Sequence, residues 1–223
     1  MGAYNNMTRI LGNLVSVAEK LNYPQSSIAV LKGDIKTLQE QYSQTYRNLL
    51  SCSHNKDKRD FLRYGQDLVA SWLFEDYLMW ELYNAGLSIK SSATDRQREI
   101  LPNLKISSSS DCEVSYEGKS VGLEIMNDYT GWWRKTKEID LRDNKYNKIV
   151  ETKSLFLGIS NSDKLYILIT DMASYQSSFI PSYRPYGNKP AYKIFITEND
   201  LKPIDFKEIA KQIKSILIKQ EKP

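Results

Sequence analysis

SSSSDCEVSYEGKSVGLEIMND, Ser107 to Asp128, is the stretch on which the reading of this chain turns. Val114 and Val121 flank Tyr116-Glu117-Gly118-Lys119-Ser120, so two short strands joined by a Gly-containing connection are expected. Pairing of those strands brings Asp111, at the start of the first, near Glu124 on the second. Residues on both sides of Glu124 are apolar (Val121, Leu123, Ile125, Met126), which predicts a carboxylate set in a buried strand. A buried carboxylate without a partner is costly, and a bound cation is one way to keep it ionised. The plainer alternative puts Asp111 in solvent at the strand start and pairs Glu124 with a Lys or Arg.

Composition bounds the rest. The chain has 223 residues, with 31 basic against 27 acidic side chains for a net charge of +4, an excess too mild to name a nucleic-acid partner by itself. Cys52 and Cys112 are too few for a disulfide framework and too far apart for a metal clip, so a reduced compartment fits and zinc is set aside. No apolar run approaches the roughly 18 residues that span a bilayer, and MGAYNNMTRI lacks the pattern of a secretory leader. A cytoplasmic protein without a membrane partner is the expectation. His54, the sole histidine, lies in the polar segment SCSHNKDKRD, which argues against a histidine-based nucleophilic site.

Apolar spacing predicts a helical pair over 4–19 and 28–50 and a third helix over Phe61–Asn84, closed at Ala85-Gly86. A division into a helical extension, 1–60, and a core domain, 61–223, follows. Beyond Gly86 a short strand at Leu87–Ile89, a strand approach over 100–106 and then the hairpin are expected. A charged amphipathic helix over 134–156, strands at Leu165–Ile169 and Tyr192–Thr197, and a terminal helix over 206–220 complete the order. This is an α/β arrangement with a crossover helix between strands.

The constellation resembles the PD-(D/E)xK nucleases, the superfamily of most type II restriction endonucleases. In that pattern a helix carrying a Glu precedes a meander with one carboxylate opening a strand and a second on the next. Asp111 and Glu124 match the two strand carboxylates, and Glu75 in FLRYGQDLVASWLFEDYLMWELYNAG resembles the helix acid. The resemblance covers 61–170 and implies a restriction-endonuclease-like core, a mixed central sheet flanked by helices, with the N-terminal helices as a dimerisation or DNA-clasping extension. It further implies a Mg²⁺-dependent endonuclease acting on double-stranded DNA as a homodimer, in a restriction-modification system. A structure-specific repair nuclease, an RNA endonuclease and an inactive binding module are the alternatives.

One position departs from the pattern. The motif expects E-x-K, yet the chain reads Glu124-Ile125-Met126. Members of that family relocate this lysine to the following helix or replace it. With Ile139, Tyr146, Ile149 and Val150 taken as the inner face of that helix, Lys145 falls at its edge, Lys148 towards solvent and Lys135 inward. Lys145 is the expected replacement, with Lys135 in reserve.

Phosphodiester hydrolysis needs an activated water and compensation of phosphate charge, and hard carboxylate oxygens suit Mg²⁺. The implied ligands are Asp111, Glu124, the carbonyl of Ile125 and Glu75. No nucleotide cofactor is expected, because GxxxxGK[ST] is missing. Trp133, Arg134 and Lys135, just after the second strand, are candidates to meet phosphates. The long connection over 171–191 offers Tyr183, Arg184, Asn188 and Lys189 as further nucleic-acid contacts.

Overall fold

Helix-stopping residues interrupt the N-terminal apolar spacing more often than a two-helix reading allows. The computed structural model describes residues 2–56, 60–92, 97–101 and 110–219. The chain divides into two compact units, Met1–Leu78 with Thr94–Ser107, and Met79–Ala93 with Ser108–Pro223.

The first unit is helical: α1 (Ala3–Leu11), α2 (Leu14–Lys20), α3 (Gln25–Lys32), α4 (Ile35–Glu40), α5 (Ser43–Lys56) and most of α6 (Phe61–Asn84). The expected pair is therefore five shorter helices. Gly12, at φ 75°, ends α1, and the Asn13 side chain caps α2 by accepting from the Val15 and Ser16 amides. Gly33, at φ 70°, ends α3 and Asp34 caps α4 through the Thr37 amide. The unit boundary also falls later than 60, because α6 packs tightly on the earlier helices. A Cβ added at Gly65 would sit 2.6 Å from Leu49 and 2.9 Å from Val30 side-chain carbons.

The second unit is built on a six-stranded sheet of order β1 (Ser88–Ser91), β2 (Cys112–Tyr116), β3 (Lys119–Asp128), β5 (Leu155–Ser160), β6 (Leu165–Ile169) and β9 (Lys202–Pro203). β3 and β5 pair in parallel and the other neighbours are antiparallel. Between β3 and β5 the chain forms α7 (Trp132–Thr136), β4 (Glu138–Arg142) and α8 (Asp143–Thr152). A second, antiparallel sheet runs β4, β8 (Lys189–Phe195), β7 (Ser177–Tyr183), and α9 (Phe206–Lys219) closes the described chain. The fold is mixed α/β, a central mixed sheet flanked by helices with an N-terminal helical region, as expected.

Two sequence expectations change here. The single helix over 134–156 is instead α7, β4, α8 and the first residues of β5. Ile139 and Leu141 are buried and alternate with half-exposed Glu138 and Asp140, the two-residue period of a strand, and Lys137 and Lys153 adopt positive φ where α7 and α8 stop. The long connection over 171–191 carries a strand of its own, β7, at the edge of the second sheet. Its exposed Phe179, its Pro181 and the irregular register between Ile180 and Tyr183 suit an edge position. The strand approach over 100–106 lies largely outside the described residues, as does the His54 side chain.

Trp133 of α7, Ile139 of β4, Ile149 of α8, Phe156 of β5 and Ile194 of β8 share one core. Gly158 leaves room for it: an added Cβ would lie 2.7 Å from the Trp133 ring. Among the described residues no helix is long and apolar enough to cross a membrane.

Candidate metal centre

β3 sits between β2 and β5, so both of its hydrogen-bonding edges are paired, and its middle residues Leu123, Glu124 and Ile125 are buried. Glu124, in the middle of β3, is 4% exposed. Cys112 faces Leu123 across the hairpin, and this register sets Asp111 beside Glu124. Asp111 lies just before β2, where its Oδ2 accepts the Ile125 amide at 2.8 Å and its carbonyl accepts the Ser92 amide at 3.1 Å. The carboxylate is thereby fixed against the strand that carries Glu124.

Lys145 completes the cluster from α8. Ile149 of that helix is buried and Tyr146 and Val150 pack on the same core, which fixes the helix and leaves Lys145, one turn before Ile149, to reach the carboxylates. Its Nζ forms an ion pair with Glu124 Oε1 and lies 3.9 Å from Asp111 Oδ2. Glu124 Oε1 receives no hydrogen bond of ordinary geometry, so the ammonium is what balances a buried charge. Nearby, Ser110 and Ser154 hydroxyls are 2.9 Å apart, and Ser154 is 2.8 Å from Thr152 Oγ1. Gly122, two residues before Glu124, makes room for them, since an added Cβ would lie 2.4 Å from Ser110 Oγ and 2.6 Å from Ser154 Oγ. These hydroxyls carry no periodic or motif signal in the sequence.

The donor set fits a hard divalent cation. Two neighbouring carboxylates, one with a buried oxygen lacking hydrogen bonds, and an adjacent main-chain carbonyl at Ile125 are oxygen ligands of the kind Mg²⁺ takes, with water filling the remaining positions. Among the described residues no three His, Cys, Asp or Glu side chains form a metal-holding group. Glu75 belongs to the helical unit, where Arg98 Nη1 lies 2.9 Å from its Oε2.

No protein-family model matches the sequence, and a search of curated proteins returns no match. Among solved structures, the chain is similar to Hjc, a Holliday junction resolvase from the archaeal hyperthermophile Archaeoglobus fulgidus, at 11% identity and a TM-score of 0.38, covering 62% of this chain and 93% of that one. At that level of likeness the activity has to be argued from the side chains.

The surface candidates separate into groups. Trp133 is 3% exposed in the core and is not a surface contact; the ring that faces solvent is Trp132. Sequence spacing hid this because either tryptophan can open a short helix. Arg134 is exposed and lies 3.4 Å from Asp163, and Lys135 is exposed on α7, away from the inward position that a continuous helix over 134–156 would have given it. Arg184, Asn188 and Lys189 are exposed at the connection between β7 and β8. Tyr183 is anchored beneath them, its hydroxyl donating to Asp140 Oδ2 at 2.5 Å, and burial with that carboxylate holds its phenol protonated well above the ordinary range. Tyr186 donates to the Asp140 carbonyl at 2.7 Å, and burial, then Asp140, pushes its pKa up to about 12 against the opposing pull of Arg142. Both tyrosines brace the connection.

Proposed function

We propose that this protein is a Mg²⁺-dependent endonuclease that hydrolyses phosphodiester bonds in DNA. The observation that carries the reading is the position of Lys145. The sequence lacks a lysine two residues after Glu124, and an ammonium from α8 stands against Asp111 and Glu124 instead. This weighs against an inactive binding module, the reading that Met126 in the lysine position would favour.

Asp111 and Glu124, with the Ile125 carbonyl, would hold the ion. When bound, Mg²⁺ lowers the pKa of a coordinated water and offsets charge on the phosphate oxygens. Asp111, fixed by the Ile125 amide, keeps its ligand geometry without reorganisation. Lys145 would leave Glu124 for a phosphate oxygen or the attacking water, an exchange its half-exposed, four-carbon stem permits. One site cuts one strand at a time, so a homodimer would cut both strands in a single encounter, and that is the form expected for a double-strand cut.

The test is cleavage of a four-way DNA junction, plasmid DNA, phage DNA and single-stranded RNA in Mg²⁺ against an EDTA control. Discrete plasmid and phage fragments mark a sequence-specific restriction enzyme. Cleavage confined to the junction marks a structure-specific nuclease, and cleavage confined to RNA moves the reading to an RNA endonuclease. Intact substrates throughout overturn the proposal.

A further inference from the structure

A groove of about 420 Å³ opens where α9 crosses the turn end of the β2–β3 hairpin. Lys207, Lys211, Lys214 and Lys219 line it, with Tyr116 and Ile218. We propose that this groove binds the phosphate backbone of the nucleic acid at a distance from the carboxylates, an inference that rests on the nuclease reading of the sheet unit.

The groove is held in shape by the contacts of two lysines. Lys214 Nζ donates to the Ala85 carbonyl at 2.8 Å and stands 5.1 Å from the centre of the Tyr116 ring, while Lys119 Nζ donates to the Ile218 carbonyl at 2.9 Å. Lys207, Lys211 and Lys219 are exposed. Glu208 lies 3.6 Å from Lys211, and the residues that line the groove are basic overall.

Position separates the groove from the metal centre. Tyr116 shares a face of β2 with buried Cys112 and Val114, opposite Leu123 and Val121, whereas Glu124 points to the other face of the sheet. Tyr116 lies five residues from Asp111, about 17 Å along the strand. The groove lysines are thus a separate contact from Lys145.

The lysines select the occupant. From Lys207 to Lys219 the helix rises about 18 Å, the length of about five steps of duplex at 3.4 Å each. A row of that length suits a polyanion better than a small phosphate ester. A lipid surface suits it less, because a helix lying in a membrane offers its apolar face to lipid, and here Ile209, Ile213 and Leu217 are buried within the protein.

The experiment measures binding of a 20-base-pair duplex in Ca²⁺ by fluorescence anisotropy between 50 and 200 mM salt. Wild type is compared with Lys207→Gln/Lys211→Gln/Lys219→Gln, which leaves the Lys214 anchor in place. The proposal expects the variant to lose about two to three units of salt slope, with affinity at least about tenfold weaker at the upper salt. Should the triple variant melt early, Lys207→Gln/Lys219→Gln gives the same reading with about two units lost. Wild-type slope and affinity in a folded variant overturn the groove while cleavage by wild type keeps the nuclease reading. A wild type that neither binds nor cleaves nucleic acid overturns both. Vesicles containing phosphatidylserine that retain wild type and release the variant, with duplex binding unchanged, reassign the groove to an anionic lipid surface and overturn the proposal.

Discussion

Arg98 in the helical unit and Lys145 in the sheet unit each face two carboxylates, and the two arrangements differ in how completely the charges are satisfied. Arg98 Nη1 lies 2.9 Å from Glu75, Nη2 2.5 Å from Asp76 and Nε 3.2 Å from Asp76, a fork that meets Asp76 with two nitrogens. Tyr23 donates its hydroxyl to the same Asp76. Only 8% of the Arg98 side chain is exposed. Lys145 is 38% exposed, sits on a flexible stem, and faces a Glu124 oxygen that no hydrogen bond of ordinary geometry holds. A planar guanidinium with fixed partners is a lock, whereas a single ammonium beside an under-satisfied carboxylate is replaceable by another cation. Charge count alone does not separate the two clusters; exposure and the remaining hydrogen-bonding capacity do.

The widest separation between the clusters is expected from Asp111→Asn and Glu124→Gln. Each should lower Mg²⁺-dependent cleavage at least about a thousandfold, ~4 kcal/mol of transition-state stabilisation, with a melting temperature close to wild type. Asn at 111 retains an acceptor for the Ile125 amide, so the hairpin keeps its side-chain bond. Cleavage at the wild-type rate by either variant would place the metal centre elsewhere.

Arg98→Ala is the matching cut in the helical unit. It leaves Asp76 and Glu75 beside each other without their shared cation and should cost about 3 kcal/mol of stability, measured by urea unfolding. Arg98 also ties the segment carrying it to α6, and its own carbonyl accepts the Ser27 hydroxyl at 2.7 Å. The same cluster predicts an alkaline signature. Burial, then Asp76, raises the Tyr23 pKa in the folded state, so the unfolded chain releases that proton first and stability falls as pH climbs above the ordinary tyrosine value. Tyr23→Phe should flatten that limb of the stability curve; an unaltered limb would assign it to other groups.

Lys145→Ala should lower turnover about a hundredfold, ~2.7 kcal/mol, while duplex affinity in Ca²⁺ stays near wild type. That split belongs to an interaction made in the transition state. A lysine that only bound phosphate would instead weaken affinity and reduce the salt slope by about one unit. Lys135→Ala, on the exposed face of α7, serves as the control for loss of a positive charge nearby in sequence.

Legibility followed the range of the interactions. The hairpin, β6 and α9 were readable because their signals are local: turn residues at Glu117-Gly118, a five-residue apolar run, and a helical stripe through Ile209, Ile213 and Leu217. The helical phase that points to Lys145 assumes one helix through 156, but Ile139 lies on β4, and what holds Lys145 in place is the packing of Ile149 within α8. A three-residue alternation, Ile139-Asp140-Leu141, is too short to overrule helical spacing without the partner strand β8 in view. Gly12-Asn13 and Gly33-Asp34 were legible stop and cap signals that apolar spacing overran. Arg98 left no trace, since an arginine in a polar stretch shows nothing of the two carboxylates it will meet more than twenty residues back in the chain.

The smallest effect is expected from Glu75→Gln, and it decides to which cluster this residue belongs. The family resemblance made Glu75 a metal ligand, whereas the structure pairs it with Arg98 in the helical unit. Glutamine retains an acceptor oxygen for the guanidinium and loses only the charge, and Arg98 keeps both nitrogens on Asp76. A loss of about 1 kcal/mol or less is therefore expected in urea unfolding, with turnover within about twofold of wild type. The Mg²⁺ concentration giving half-maximal cleavage should not move. If it rises severalfold while the unfolding curve stays in place, Glu75 acts with Asp111 and Glu124, and the Arg98 pair is a resting contact that it leaves when the ion binds.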